Sequence, residues 1–140
     1  ENIIGIKDSS GNIVQIAETV KNSVPEFSVF AGSAGFMLPA LAVGARGATV
    51  AFGNIMPDEC SRLFSLFREG KMEEARELQH RLLEINFTIT AGMGIPALKA
   101  AMDMLGFQGG FPRRPLRVLL EEERKILEGV LKRCRARQES

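Results

Sequence analysis

Ile3-Ile4-Gly5-Ile6-Lys7-Asp8-Ser9-Ser10-Gly11-Asn12 is the stretch that decides how the rest of the 140-residue chain is read. An apolar run of this length, cut off by turn residues, reads as a strand buried on both faces. Lys7 closes the run, so its amine would stand at the mouth of a core. Loss of water destabilises an ammonium relative to the neutral amine, and a neutral lysine can attack a ketone carbon. Most lysines at strand ends are simply solvated, so Lys7 gains meaning only from the residues downstream of it.

Downstream of Lys7 the chain repeats a unit of strand, small-residue turn and apolar helix. Gly11 and Asn12 supply a turn and an N-cap, after which Ile13, Val14, Ile16, Ala17 and Val20 fall at helical spacing. That helix is expected to end before Pro25. A second strand, Phe27-Ser28-Val29-Phe30, closes in Ala31-Gly32-Ser33-Ala34-Gly35, and a helix from Phe36 to Val43 stops at Gly44. The third strand is predicted over Ala48-Thr49-Val50-Ala51-Phe52, ending at Gly53-Asn54. Pro57, with Asp58 and Glu59 behind it, opens a helix that runs to about Glu69 before Gly70. Strand ends near Lys7, Gly32 and Gly53 recur about every 20 to 25 residues, the period of a βα unit and hence of a parallel sheet. In such sheets the chemistry collects at the C-terminal strand ends.

Three stretches carry a resemblance: Gly5 to Gly11, Phe30-Ala-Gly-Ser-Ala-Gly-Phe36, and Gly44-Ala-Arg-Gly-Ala-Thr-Val-Ala-Phe-Gly-Asn54 with Pro57. In this order and spacing they resemble the dihydrodipicolinate synthase and N-acetylneuraminate lyase family, class I aldolases that form a Schiff base on a (β/α)8 barrel. Gly92 to Lys99 and Gly106 to Leu116 look like the helical region that ends such enzymes. The resemblance covers essentially the whole chain, which looks like a C-terminal half beginning at the sixth strand. It implies an α/β fold: residues 1–70 as the last three βα units of the barrel, and residues 71–140 as a helical region packed on it. It also implies that Lys7 condenses with the 2-oxo group of pyruvate or a 2-oxo acid. Ser9 would lie near the bound keto acid, and Gly32 would bring its backbone close to the substrate. Ser33 and Thr49 would line the pocket. A protonated imine draws electrons from the adjacent carbon–carbon bond, so the protein has only to position it and move protons. No cofactor and no metal are implied.

Two features depart from the dihydrodipicolinate synthases. Their turn after the glycine commonly carries acidic residues, whereas Ser33-Ala34-Gly35-Phe36 comes after Gly32 here. That wording, with Leu78-Gln-His-Arg-Leu82, looks more like the 4-hydroxy-2-oxoglutarate aldolases of the same family, which yield pyruvate and glyoxylate. Cleavage of 4-hydroxy-2-oxoglutarate is therefore the first expectation, and condensation of pyruvate with aspartate semialdehyde the second. The chain also contains no tyrosine, although the family's proton relay uses one from an earlier strand. It opens at Glu1 directly against a strand, so the upstream half is expected to be absent. Three strands of an eight-stranded barrel leave two unpaired edges. By this reading the segment alone is inactive and self-associates.

Beyond Gly70 the sequence reads as helical. Lys71 to about Ala91 carries Met72, Ala75, Leu78, Leu82, Leu83 and Ile85 as an apolar stripe. Pro96 opens a helix toward Leu105, Gly109 to Pro115 is a loop, and a last helix runs from about Glu121 to Arg135. The family implies a homo-oligomer, a tetramer by analogy.

A net charge of +1, with charged residues at 25%, favours neither nucleic acid nor an anionic membrane as partner. No apolar run reaches the roughly 18 residues of a membrane span and no signal peptide opens the chain, so a cytoplasmic protein is expected. Cys60 and Cys134 have no metal-ligand spacing and read as inert thiols, Cys60 half-buried on a helix. His80, the one histidine, reads as solvated or helix-packing rather than catalytic, and the six methionines as scattered core filler. Lys132, Arg133, Arg135 and Arg137 read as a solvated helix end beside Glu121 to Glu123 and Glu128. Two other classes stay open: a phosphate-binding module cradling its ligand at Ala31 to Gly35, and a barrel kept for assembly without catalysis.

Overall fold

The computed structural model describes residues 2–136. Three strands, β1 (Gly5–Asp8), β2 (Ser28–Ala31) and β3 (Gly47–Ala48), form one parallel sheet in that order. Register sets Lys7 beside Phe30, and Phe30 beside Gly47. Parallel neighbours need crossovers, and α1 (Ile13–Asn22) and α2 (Met37–Ala42) supply them. The Asn12 side chain caps α1 by accepting from the Gln15 amide at 3.1 Å. A 3₁₀ turn, Ala34–Phe36, precedes α2. Four further helices follow among the described residues: α3 (Pro57–Arg68), α4 (Met72–Phe87), α5 (Gly94–Met104) and α6 (Glu121–Ala136), with a π turn at Thr88–Gly92 between α4 and α5. Pro57 stands at the start of α3 with Asp58 and Glu59 in its first turn, the charge arrangement a helix N-terminus favours.

Side chains alternate across a strand, and the two faces of this sheet differ. Val29 and Ala31 of β2 pack with Ile16 of α1, Ala40 of α2 and Ala45 as a small buried cluster. The opposite face carries Lys7, Ser28 and Phe30, which line an open concavity. A larger core continues away from the sheet. It joins Met37 and Leu41 of α2, Phe52, Leu63 of α3, Leu78, Leu82 and Ile85 of α4, Ala97 of α5 and Leu127 of α6. Residues on both sides of Gly70 therefore share one core. No helix among the described residues is long and apolar enough to cross a membrane.

Several sequence expectations are corrected. The first strand is not buried on both faces: β1 has β2 as its one neighbour, and Ile3 and Ile4 are 75% and 79% exposed. An edge strand with a single partner has nothing to desolvate its outer flank, so Ile6 and Lys7 are exposed as well. The third strand is two residues long rather than five. The Thr49 amide still reaches the Ala31 carbonyl at 2.8 Å. Beyond it the chain leaves the ladder and turns as a 3₁₀ segment, Ala51–Asn54, which carries Phe52 into the core. The long helix after Gly70 yields to the π turn at Thr88, and α5 begins at Gly94 rather than Pro96. On α4, Met72 and Leu83 lie on the exposed side, while Gln79 and Asn86 take their place in the buried stripe with Ala75, Leu78, Leu82 and Ile85. Positions 75, 78, 82 and 85 recur at three and four residues, and 79 and 86 lie on that same face. The basic helix end, by contrast, is solvated as expected, with exposed pairs from Lys132 to Glu128 at 2.7 Å and from Arg133 to Glu84 at 2.5 Å. Arg137 lies outside the described residues.

Candidate active site

Lys7 stands near the C-terminal end of β1, directly before a turn built from its own side chains. The Ser10 amide and hydroxyl donate to Asp8 Oδ1 at 2.7 and 2.5 Å, and Gln15 Nε2 donates to Asp8 Oδ2 at 2.7 Å. The Ser10 hydroxyl, then the Ser10 amide, hold the Asp8 carboxyl below its ordinary range, so it stays ionised as the anchor of the turn. Gly11 has φ +73°, a left-handed conformation that glycine adopts without steric cost. The Lys-Asp-Ser-Ser-Gly-Asn wording thus yields a fixed turn, and the exposed lysine precedes it on the face of the sheet that carries Phe30.

The neighbouring strand ends are tied to this turn through the backbone. The Gly32 amide donates to the Asp8 carbonyl at 2.7 Å, and the Thr49 amide to the Ala31 carbonyl at 2.8 Å. Lys7, Thr49, Ser28 and Phe30 line one open concavity of about 440 Å³ together with Ile4, Gly5 and Ile6. Ser9 and Gly32 are pressed together: a Cβ on Gly32 would meet Ser9 Oγ at 2.0 Å and Ser9 Cα at 2.8 Å. Among the predicted site residues, Lys7 and Thr49 therefore share a cavity, and Ser9 and Gly32 share a contact.

Gly32→Ala tests that contact. Ser9 Cα belongs to the backbone and cannot swing aside, so the substitution is expected to cost about 1 to 3 kcal/mol as overpacking. Chemical denaturation of the variant measures this cost, and an unchanged midpoint would show that the turn has room to spare.

Ser33 is placed differently. Its hydroxyl accepts from the Gly35 amide at 3.2 Å and from Asn86 Nδ2 of α4 at 3.1 Å. It is held between its own turn and α4, and it is not among the residues lining the concavity with Lys7. The rest of the turn is gripped by the same helix. Gln79 Nε2 donates to the Ala34 carbonyl at 2.8 Å, and Gln79 Oε1 accepts from the Leu38 amide at 2.9 Å. Gln79 and Asn86 are 5% and 6% exposed, and sequence reasoning misses both. The signal available is two amide side chains, two helical turns apart, on the apolar stripe of one helix.

These hydrogen bonds also bear on the phosphate-binding alternative. A cradle needs free N–H groups at the helix start, and here the amides of Gly35, Phe36 and Leu38 are all taken by protein acceptors. Cys60 is half-buried, and burial, aided by Glu59, pushes its thiol up to about 11, far from a reactive thiolate. His80 is exposed. Among the described residues no three His, Cys, Asp or Glu side chains converge on a metal-sized site.

A family model described as the dihydrodipicolinate synthetase family matches residues 1–134. The chain belongs to that family. Among its relatives, the 4-hydroxy-tetrahydrodipicolinate synthase of Caldicellulosiruptor bescii is 38% identical over 130 residues, 93% of this chain and 44% of that protein. The enzyme of the same name from Archaeoglobus fulgidus is 33% identical over 132 residues, 94% of this chain and 46% of that protein. A solved structure of the 4-hydroxy-tetrahydrodipicolinate synthase of Methylacidiphilum fumariolicum SolV superposes with a TM-score of 0.89 at 31% identity, covering 96% of this chain and 45% of that one. This member of the dihydrodipicolinate synthetase family thus spans less than half the length of the curated relatives it matches.

Proposed function

We propose that this chain supplies the imine-forming half of a class I lyase acting on pyruvate-derived 2-oxo acids. Its three strands would be strands 6 to 8 of a (β/α)8 barrel, with residues 71–140 packed against it. The observation that carries the reading is the placement of Lys7 at a strand end, on the open face it shares with Thr49, beside the Ser9–Gly32 contact. Its amine would add to the keto carbon and expel water, leaving a protonated imine. Loss of a proton from the neighbouring carbon then gives an enamine, which attacks the carbon of an aldehyde. Cover for the exposed Lys7 side, the carboxylate pocket and the proton relay would come from outside this chain. The segment alone is inactive on this reading. Cytoplasmic placement and a homo-oligomer, a tetramer by family analogy, go with it.

The choice of aldehyde moves away from the first expectation. The wording of Ala31 to Phe36 points to cleavage of 4-hydroxy-2-oxoglutarate, but relatives at 33 to 38% identity are named 4-hydroxy-tetrahydrodipicolinate synthases. Their names favour condensation of pyruvate with aspartate semialdehyde. Incubating the intact enzyme with pyruvate and borohydride, then mapping the peptides by mass spectrometry, tests the core of this reading. One reduced pyruvate adduct on Lys7 is expected. An adduct on another side chain, or none, would refute it. Parallel assays of condensation and of cleavage then decide between the two reactions.

A further inference from the structure

Helix α4 buries two amide side chains against the Ser33–Gly35 turn, and family membership alone gives no reason for it. Burying a polar group is costly unless it is bonded, and an apolar stripe would have packed this helix more simply. Both amides are spent on the same short segment. Gln79 takes the Ala34 carbonyl and the Leu38 amide, and Asn86 takes the Ser33 hydroxyl. That hydroxyl in turn accepts from the Gly35 amide. Gly35 completes the fit. A Cβ there would lie 2.8 Å from Asn86 Nδ2, so the Asn86 amide fills the space a side chain would occupy. The backbone of Gly35 is not left-handed, and proximity to Asn86 is the tightest contact its Cβ would make.

The other end of this turn is Gly32, pressed on Ser9 and bonded to the Asp8 carbonyl directly after Lys7. The geometry points to Asn86 as a positioning residue. From a helix 53 residues further along the chain, it fixes the turn through Ser33 and Gly35 and thereby sets where Gly32 and Ser9 stand relative to Lys7. This assigns the Ser33 hydroxyl to the positioning chain rather than to contact with substrate. The inference deepens the proposed function and rests on Lys7 forming the imine.

The test uses the intact enzyme and reads the pyruvate concentration that half-saturates borohydride trapping, with the mapped adduct as endpoint. Asn86→Ala is expected to raise that concentration about ten-fold, the effect of one lost positioning contact, with the adduct still on Lys7. Asn86→Asp loses the Nδ2 donor but keeps Oδ1, to which the Ser33 hydroxyl can donate at 3.4 Å, and is expected to recover part of the loss. Gly35→Ala is expected to weaken capture when Asn86 is present and to add little in the Asn86→Ala background, because the clash partner is then gone. Half-saturation unchanged within two-fold in Asn86→Ala, even with a lowered melting temperature, would reduce Asn86 to packing and overturn the inference. Should Asn86→Ala fail to fold, Gly35→Ala in the otherwise native enzyme decides, since unaltered capture there would also overturn it. Absence of a Lys7 adduct in the unaltered enzyme refutes the functional reading instead, so the two failures are distinguishable.

Discussion

Lys7→Arg in the intact enzyme is expected to lower turnover by at least about a thousand-fold, the scale on which loss of a covalent nucleophile acts. Arginine keeps the positive charge and a long stem at the end of β1, so folding and charge balance change little. Its guanidinium stays protonated at any working pH and cannot add to a carbonyl. Lys7 is exposed in this chain, and substituting it leaves no cavity. Loss of activity would therefore report chemistry. Three measurements separate the cases: steady-state turnover, the borohydride-trapped adduct and the melting temperature. Turnover and adduct are expected to vanish together while the melting temperature moves by no more than a few degrees. Retention of a tenth of the activity would remove the imine from the account.

Phe52→Ala is expected to cost about 3 to 5 kcal/mol of stability, a large share of the roughly 5 to 15 kcal/mol that holds a domain together. Phe52 is 0% exposed and sits in the 3₁₀ turn where the chain leaves the sheet. Its carbonyl accepts from the amides of Ile55 and Met56 at 3.0 and 3.1 Å, so the same residue shapes the entry to α3. Its ring belongs to the core formed with residues of α2, α3 and α4. Collapse around the missing ring would have to move helices that are themselves packed on several sides. Denaturant titration of the intact protein measures the loss, with an unchanged slope indicating that only the native state was affected. Phe52→Leu retains most of the apolar volume and is expected to cost clearly less. A loss under 1 kcal/mol in Phe52→Ala would mean that the turn packs independently of the helices.

The βα rhythm is legible in the sequence because its punctuation is local. Asn12 caps its own helix, Gly44 and Gly70 stop theirs with φ of +103° and +73°, and Pro57 opens another. Each signal acts within a few residues and needs no tertiary partner. The strand expected at 48–52 fails for the opposite reason. Val50 and Phe52 are residues that strands favour, but Phe52 gains more from burial in the helical core than from a ladder with one neighbour. Burial of β1 is overestimated as well, since an apolar run shows what a strand is suited to and not how much of its surroundings the chain supplies. At the candidate site, Lys7, Ser9, Gly32 and Thr49 sit at strand ends, where their type and position can be read in order. Gln79 and Asn86 cannot be found that way. Their role depends on a turn 41 to 53 residues earlier, and α4 alone shows only that two amides share its apolar stripe, not what they hold.

The grip of α4 on the turn before α2 constrains how such a chain could be recombined. A chimera that exchanged everything after Gly70 with another family member would break no covalent unit of strand and helix. It would keep both attachments and the shared apolar interior only if the incoming segment brought matching amides at 79 and 86 and apolar side chains that fit those of α2 and α3. Positions 79 and 86 are thus best exchanged together with positions 33 to 38, although the seam between them looks like the natural place to cut.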